Sequence, residues 1–168
     1  MTPLFDWRAM TSDDIGAVSE IAAQAHPDFF EEDHIFAERQ RLAPHGCHIL
    51  WMNEVPTGYV LSHPWKLGSV PALNVPLGQL PPDPDTFYIH DLALLPAARG
   101  SGAAGKIIER TVGIGEPYGS LSLVAVNNSV PFWARFGFVG QDWPGLSEKL
   151  KSYDDAARYM VRPSSPLP

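Results

Sequence analysis

A chain of 168 residues suits one domain and is long enough to bury a core, and its 45% hydrophobic and 18% charged residues describe a globular protein rather than a disordered one. The net charge of -7 argues against a nucleic-acid binder, which would show a basic face. The single Cys47 excludes an intrachain disulfide and offers no metal-ligand spacing. With no basic and apolar leader and no apolar run near ~18 residues, a cytoplasmic protein without metal, nucleic-acid or membrane partner is expected.

The first strand is expected at Phe5–Met10. Thr11-Ser-Asp-Asp then supplies caps and first-turn acids for a helix with apolar positions Ile15, Val18, Ile21 and Ala22. Glu31–Leu42 forms a second helix, closed by Ala43-Pro44-His45-Gly46. Cys47–Met52 and Gly58–Leu61 are strands joined by the turn Asn53-Glu54-Val55-Pro56. Six prolines between Pro64 and Asp85 forbid a long regular element, so an extended loop is expected there, and loops of that length are usually functional or disordered.

Thr86–Leu95 is a strand rich in β-branched, aromatic and aliphatic residues. Gly100–Gly105 opens a helix with apolar positions Ala104, Ile107, Ile108 and Val112 that ends near Gly113–Gly115. Leu121–Val126 is a buried strand, Ser129 caps a short helix Val130–Arg135, Phe136 starts another strand, and Ala157–Val161 supplies the last. The domain spans residues 1–162, leaving a frayed tail over 163–168.

Arg99-Gly100-Ser101-Gly102-Ala103-Ala104-Gly105-Lys106 follows a strand and begins a helix. Exposed N–H groups at a helix start, with the positive end of its dipole, make an anion site, and glycines let backbone approach phosphate oxygens. The turn therefore either holds a phosphate or merely starts the helix. It contains G-x-G-x-x-G, but a dinucleotide site wants an acid about 20 residues on, and the next strand ends in Val126-Asn127. It also contains G-x-x-x-x-G-K, but Ile107 stands where a P-loop needs Ser or Thr for magnesium.

A third reading covers more residues. Arg99-x-x-Gly102-x-Ala104 matches Q/R-x-x-G-x-G/A, and Leu94–Gly102 resembles the signature of the GNAT superfamily of acyl-CoA N-acyltransferases. Asn128-Ser-Val-Pro-Phe-Trp-Ala-Arg-Phe-Gly-Phe is similar to that family's second signature, and the likeness is clear over Phe87–Val139. The resemblance implies an α/β (α+β) fold, with a mixed, mostly antiparallel sheet splayed around the coenzyme and flanked by helices. It implies acetyl-CoA (CoA) as co-substrate and no metal. The pyrophosphate would sit on Arg99, Gly100, Ser101, Gly102, Ala103, Ala104 and Gly105. The pantetheine arm would lie along Leu92, Ala93 and Leu94, with the Leu92 N–H polarising the thioester carbonyl, and Asn127, Phe132 and Trp133 would border it.

Attack on a thioester needs a neutral amine, hence a base. Unbroken alternation would place Tyr88, His90, Leu92 and Leu94 on one face and Phe87, Ile89, Asp91 and Ala93 on the other. The resemblance points to His90 as the base, with Asp91 its rival, and imidazole's ordinary pKa near ~6.5 suits the task. A structural role for His90 stays open. Many family members carry Tyr at the position of Trp133, where it protonates the thiolate. Indole cannot act as that acid, leaving Tyr88, a water or an unassisted departure. His63 and Trp65 could line an amine pocket, or Trp65 could anchor the loop. Asp28, Glu31, Glu32 and Asp33 read as acids bordering the acceptor site or as a solvated helix start. The expected activity is acetyl transfer to a primary amine of a small molecule or peptide, with a non-catalytic CoA-binding regulatory module as the alternative. A homodimer is compatible with either.

Overall fold

The computed structural model describes residues 4–164. The strands are β1 (Phe5–Ala9), β2 (Cys47–Met52), β3 (Val55–Trp65), β4 (Thr86–Leu94), β5 (Ser120–Ala125), β6 (Val139–Gly140) and β7 (Arg158–Pro163). They form a seven-stranded sheet in the order β1-β2-β3-β4-β5-β7-β6. All neighbouring pairs are antiparallel except β4–β5, which is parallel. This is the mixed, mostly antiparallel sheet that was expected. Helices α1 (Ile15–Ala25) and α2 (Asp33–Leu42) cover one face, and α3 (Ala103–Gly115) covers the other. Two short helices, α4 (Val130–Ala134) and α5 (Ser147–Lys151), follow β5.

The sheet face decides which side chains are apolar. Ile15, Val18 and Ile21 of α1 and Phe36 of α2 pack on Ile49, Tyr59 and Leu61. Ile107 and Ile108 of α3 pack on Leu50, Val60, Phe87, Ile89, Leu121 and Leu123. Trp7 fastens the start of α3 by donating its indole N–H to the Ala103 carbonyl at 2.9 Å.

Several boundaries differ from expectation, among them the start of α2 at Asp33 rather than Glu31. The hairpin turn narrows to Asn53-Glu54, both at positive φ (51° and 64°), the geometry that matches the twist of flanking strands, so β3 already begins at Val55. At its other end β3 runs through Pro64 to Trp65, where loop was expected. Pairing with β2 stops at Leu61, and a proline's missing N–H is tolerated where a strand has a free edge. Only Val139–Gly140 of the strand expected from Phe136 forms, because Gly137 at φ 89° reverses the chain first.

The proline-rich segment is irregular yet tied down. Glu38 of α2 accepts the N–H groups of Leu77 (2.6 Å) and Gly78 (3.0 Å), and Glu31 accepts that of Asn74 (2.9 Å). From the other side, Tyr153 donates its hydroxyl to the Pro71 carbonyl, and Val70 packs with Leu146 and Tyr159. Pro163 pairs with Ser120 in β7, and Ser164 bonds to the Gly119 and Glu116 carbonyls. Of the tail expected to fray, residues 165–168 lie outside the described residues.

Candidate active site

Strands β4 and β5 pair only at Phe87–Ile89 against Leu121–Leu123. Beyond Ile89 they diverge, and the gap is part of a cavity of about 440 Å³, within the usual range for small-ligand sites. Its walls carry Leu92, Ala93 and Leu94 of β4, Val124 and Val126 after the split, and Phe132 and Trp133 of α4. At one end stand Ala98, Arg99, Gly100, Gly102 and Ala104. Asn127, at φ 54°, lines the same cavity and donates its N–H to Asp154 at 3.0 Å.

The glycine turn has the form an anion site requires. Gly100 and Gly102 take φ of 78° and 90°, and a Cβ at either, or at Gly105, would meet nothing within 4 Å. The first helical bond runs from the Lys106 N–H to the Gly102 carbonyl at 3.2 Å, so the N–H groups of Ala104 and Gly105 have no partner within the helix. Ser101 is committed to the turn itself. Its hydroxyl donates to the Ala98 carbonyl (2.6 Å) and accepts the Ala103 N–H (3.2 Å). Ala103 is buried, so neither side chain is free for a ligand, and the open backbone is what the turn offers. A shallow groove past Gly102 and Gly105 adds the cations Lys106 and Arg162. Open glycines, a helix start and diverging strands fit a phosphate-bearing coenzyme with an extended arm.

The opposite end is polar, and a bulge creates it. Leu61 pairs with Asp91 and Ser62 with Ile89, which leaves His90 as an extra residue in β4. The alternation expected from the sequence therefore breaks. Phe87, Ile89, Leu92 and Leu94 face α3, whereas Tyr88, His90, Asp91 and Ala93 face α1 and α2. His90 and Leu92 lie on opposite faces, and His90 and Asp91 on the same one.

His90 and Asp91 on that face each have a partner of opposite chemistry. His90 Nε2 lies 2.7 Å from Glu31 Oε1, with side chains only 2% and 3% exposed. Its Nδ1 has no hydrogen-bond partner among the described residues. His26, just after α1, places Nε2 at 3.0 Å from Asp91 Oδ1 and 3.3 Å from the Leu92 carbonyl, and Tyr59 donates its hydroxyl to Asp91 Oδ2. Burial alone would raise both carboxyls. The charge and hydrogen bond of His90 hold Glu31 below its ordinary value, and those of His26, with the Tyr59 hydroxyl, do the same for Asp91. Burial would lower His26, but the Asp91 carboxylate outweighs it and raises its pKa. Burial pushes the Tyr88 hydroxyl, beside that of Tyr153, well above its ordinary value.

His63 and Trp65 stand apart from the cavity walls. His63 is fully buried, gives its Nδ1–H to the Pro64 carbonyl at 2.9 Å, and burial pulls its pKa down to about 3, so it is a neutral core imidazole. Trp65 packs edge-on against it. Sequence reasoning left two groups unassigned. Glu31 is buried while Asp28, Glu32 and Asp33 of the same acidic run are exposed, and His26 belongs to no motif that would single it out. Among the described residues no cluster of His, Cys, Asp or Glu is placed to hold a metal ion.

Residues 15–138 match the family described as Acetyltransferase (GNAT). The chain belongs to the GNAT acetyltransferase family. No curated protein sequence matches it significantly. Among solved structures, this GNAT fold is similar to the GphF GNAT-like decarboxylase in complex with isobutyryl-CoA (TM-score 0.73, 15% identity, 95% of this chain and 100% of that one). It is similar to the ribosomal-protein-S18-alanine N-acetyltransferase of Escherichia coli (TM-score 0.67, 17% identity, 98% and 97%). It also resembles Arabidopsis thaliana Naa50 in complex with the bisubstrate analogue CoA-Ac-MVNAL (TM-score 0.68, 14% identity, 94% and 97%). At these identities the likeness is one of fold.

Proposed function

We propose that this GNAT protein moves an acetyl group from acetyl-CoA to a primary amine of a small molecule or peptide, by direct attack with both substrates bound. The observation that carries the reading is one cavity with an anion-binding glycine turn at one end and histidine–carboxylate pairs at the other. When bound, acetyl-CoA supplies an electrophilic thioester carbonyl. The turn from Arg99 to Gly105 holds the pyrophosphate through backbone N–H groups, and Arg99 adds an exposed cation. The free edge of β4 at Leu92 and Leu94 takes the pantetheine arm, with the Leu92 N–H polarising the carbonyl. Phe132 and Trp133 pack along it.

His90 is the base. Glu31 accepts its Nε2–H, which fixes the tautomer and leaves the Nδ1 lone pair to receive a proton. Because the imidazole is nearly enclosed, the proton arrives through a water. Tyr88 is held neutral by burial, and Asp91 is held as a carboxylate by His26 and Tyr59, which makes both poorer bases. The same reading takes the chain as one cytoplasmic domain working without a metal.

A mass-spectrometric screen of the protein with acetyl-CoA and pooled amines, amino acids and peptides tests this. The expected outcome is one class of acetylated amine with release of one CoA per product. Tight CoA binding without thioester consumption on any amine would leave a binding module instead.

A further inference from the structure

Trp133 lines the cavity where a proton donor to sulfur would be expected, and indole N–H is no usable acid. Tyr88 does not fill the gap, because it is 1% exposed and its hydroxyl adjoins that of Tyr153. One polar hydrogen does lie on the path that the reading above gives to the coenzyme. Past Ile89, β4 has no β5 neighbour, and the hydrogen-bonding position at the Leu92 carbonyl is taken by His26 Nε2 at 3.3 Å.

We infer that His26 is a further catalytic residue of this site, whose Nε2–H delivers the proton to the departing coenzyme thiolate. The inference rests on the acetyl-transfer reading. The His26 side chain is 22% exposed, against 2% for His90, so of the two imidazoles it is the one that can touch a ligand and exchange protons with solvent. Its second contact, Asp91 Oδ1 at 3.0 Å, keeps the ring oriented and keeps a proton on it, and Asp91 is fixed in turn by Tyr59. Asp91 and Tyr59 are positioning residues here. Burial opposes a charge on His26, but the Asp91 carboxylate outweighs it, so the site favours the protonated ring. Other titratable groups facing this point are His90 on β4 and Glu31 ahead of α2, which are hydrogen-bonded to each other at 2.7 Å.

The proton balance divides the work between the two pairs. The acyl carbon exchanges its C–S bond for a C–N bond. The substrate ammonium gives up two protons, the first through His90. One is balanced by the proton that His26 places on sulfur, and the other leaves to solvent, where His26 is also recharged. The sum is a thioester and an ammonium giving an amide, a thiol and one proton.

The test uses free CoA as well as turnover. Thiolate absorbance of bound CoA, titrated against pH, reports the charge beside sulfur. An imidazolium in contact should lower the thiol pKa in wild-type protein by about 1 unit or more relative to His26→Gln. His26→Gln should also lower turnover with acetyl-CoA by about 10²-fold, at the low end for acid–base groups, and by far less with an aryl thioester whose thiolate leaves unaided. His26→Asn serves as a second variant, and a CoA affinity within a few-fold of wild type certifies the fold of both. An unchanged thiol pKa, or an equal loss on both thioesters, overturns the role of His26. A wild-type protein that binds CoA and acetylates no amine overturns the transferase reading instead, while its thiol titration still locates His26.

Discussion

At the scale of single residues the bulge at His90 decides the chemistry. A strict period of two would have set His90 beside Leu92 and hidden Asp91 on the far face. One extra residue in β4 brings His90 and Asp91 to the same side, each with its own partner, Glu31 and His26. His90→Ala should therefore lower turnover by about 10²–10⁴-fold with CoA affinity nearly unchanged, and the deficit should shrink at high pH as free amine becomes abundant. Asp91→Asn measured alongside distinguishes the two. Full activity in His90→Ala with loss in Asp91→Asn would transfer the base to Asp91. His63 gives a prediction about stability. Its folded pKa lies near 3, below the 6.5 of an unfolded histidine, so below pH 6.5 the unfolded chain takes up a proton that the native state refuses. Stability is then full above pH 6.5 and falls as the pH drops towards 3, by about 1.4 kcal/mol per unit from this group. Urea denaturation between pH 7 and 5 should show the fall, and a hydrophobic replacement such as His63→Phe should make it shallower, leaving the share of His48, whose pKa burial lowers to about 4.

At the scale of elements, the glycine turn was legible because its chemistry is local. Glycines between a strand and an apolar-periodic helix describe an anion site whatever the rest of the chain does. Gly102→Glu puts bulk and negative charge at that point and should abolish CoA binding. Gly102 has φ 90°, so any side chain there also strains the backbone by about 1–2 kcal/mol. Gly102→Ala carries the same strain without the charge, and calorimetric titration should find it binding CoA where the Glu variant does not. Equal losses in the two would make backbone geometry, not the phosphate, the explanation. Most strands and the first three helices were likewise readable from periodicity. What escaped depends on pairing between distant segments. The bulge is visible only when β3 is laid against β4, since nothing in Thr86–Leu94 itself marks the extra residue. Glu31 sits in a run of acids whose other members are exposed, and its burial comes from His90 and Asn74, 59 and 43 residues away. α5 shows no strong period in five residues, and it packs through Leu150, with Tyr153 just beyond its end, on a loop that its own sequence does not announce.

Across the whole molecule the two halves of the sheet share only three residue pairs, those of the parallel β4–β5 ladder. Past that ladder the halves are joined by α3, which packs on strands of both, and by Val70, which packs with Leu146 and Tyr159, while the cavity lies between them. A ligand that fills the cleft adds contacts to both halves in the folded state and to neither in the unfolded chain. CoA should accordingly raise the unfolding free energy by about 2.7 kcal/mol at about 100-fold excess over its dissociation constant. The arm matters to this argument as much as the phosphates, because only a ligand with an extended polar chain can run along the free edge of β4 past Leu92. ATP and NADH share the charged end without that arm, and they should give a much smaller shift despite satisfying the same turn. Thermal unfolding followed at matched ligand concentrations reads the order directly. A larger shift with either nucleotide than with CoA would mean that the cleft past Ile89 is not a coenzyme track, and the assignment of Leu92 and His26 would fall with it.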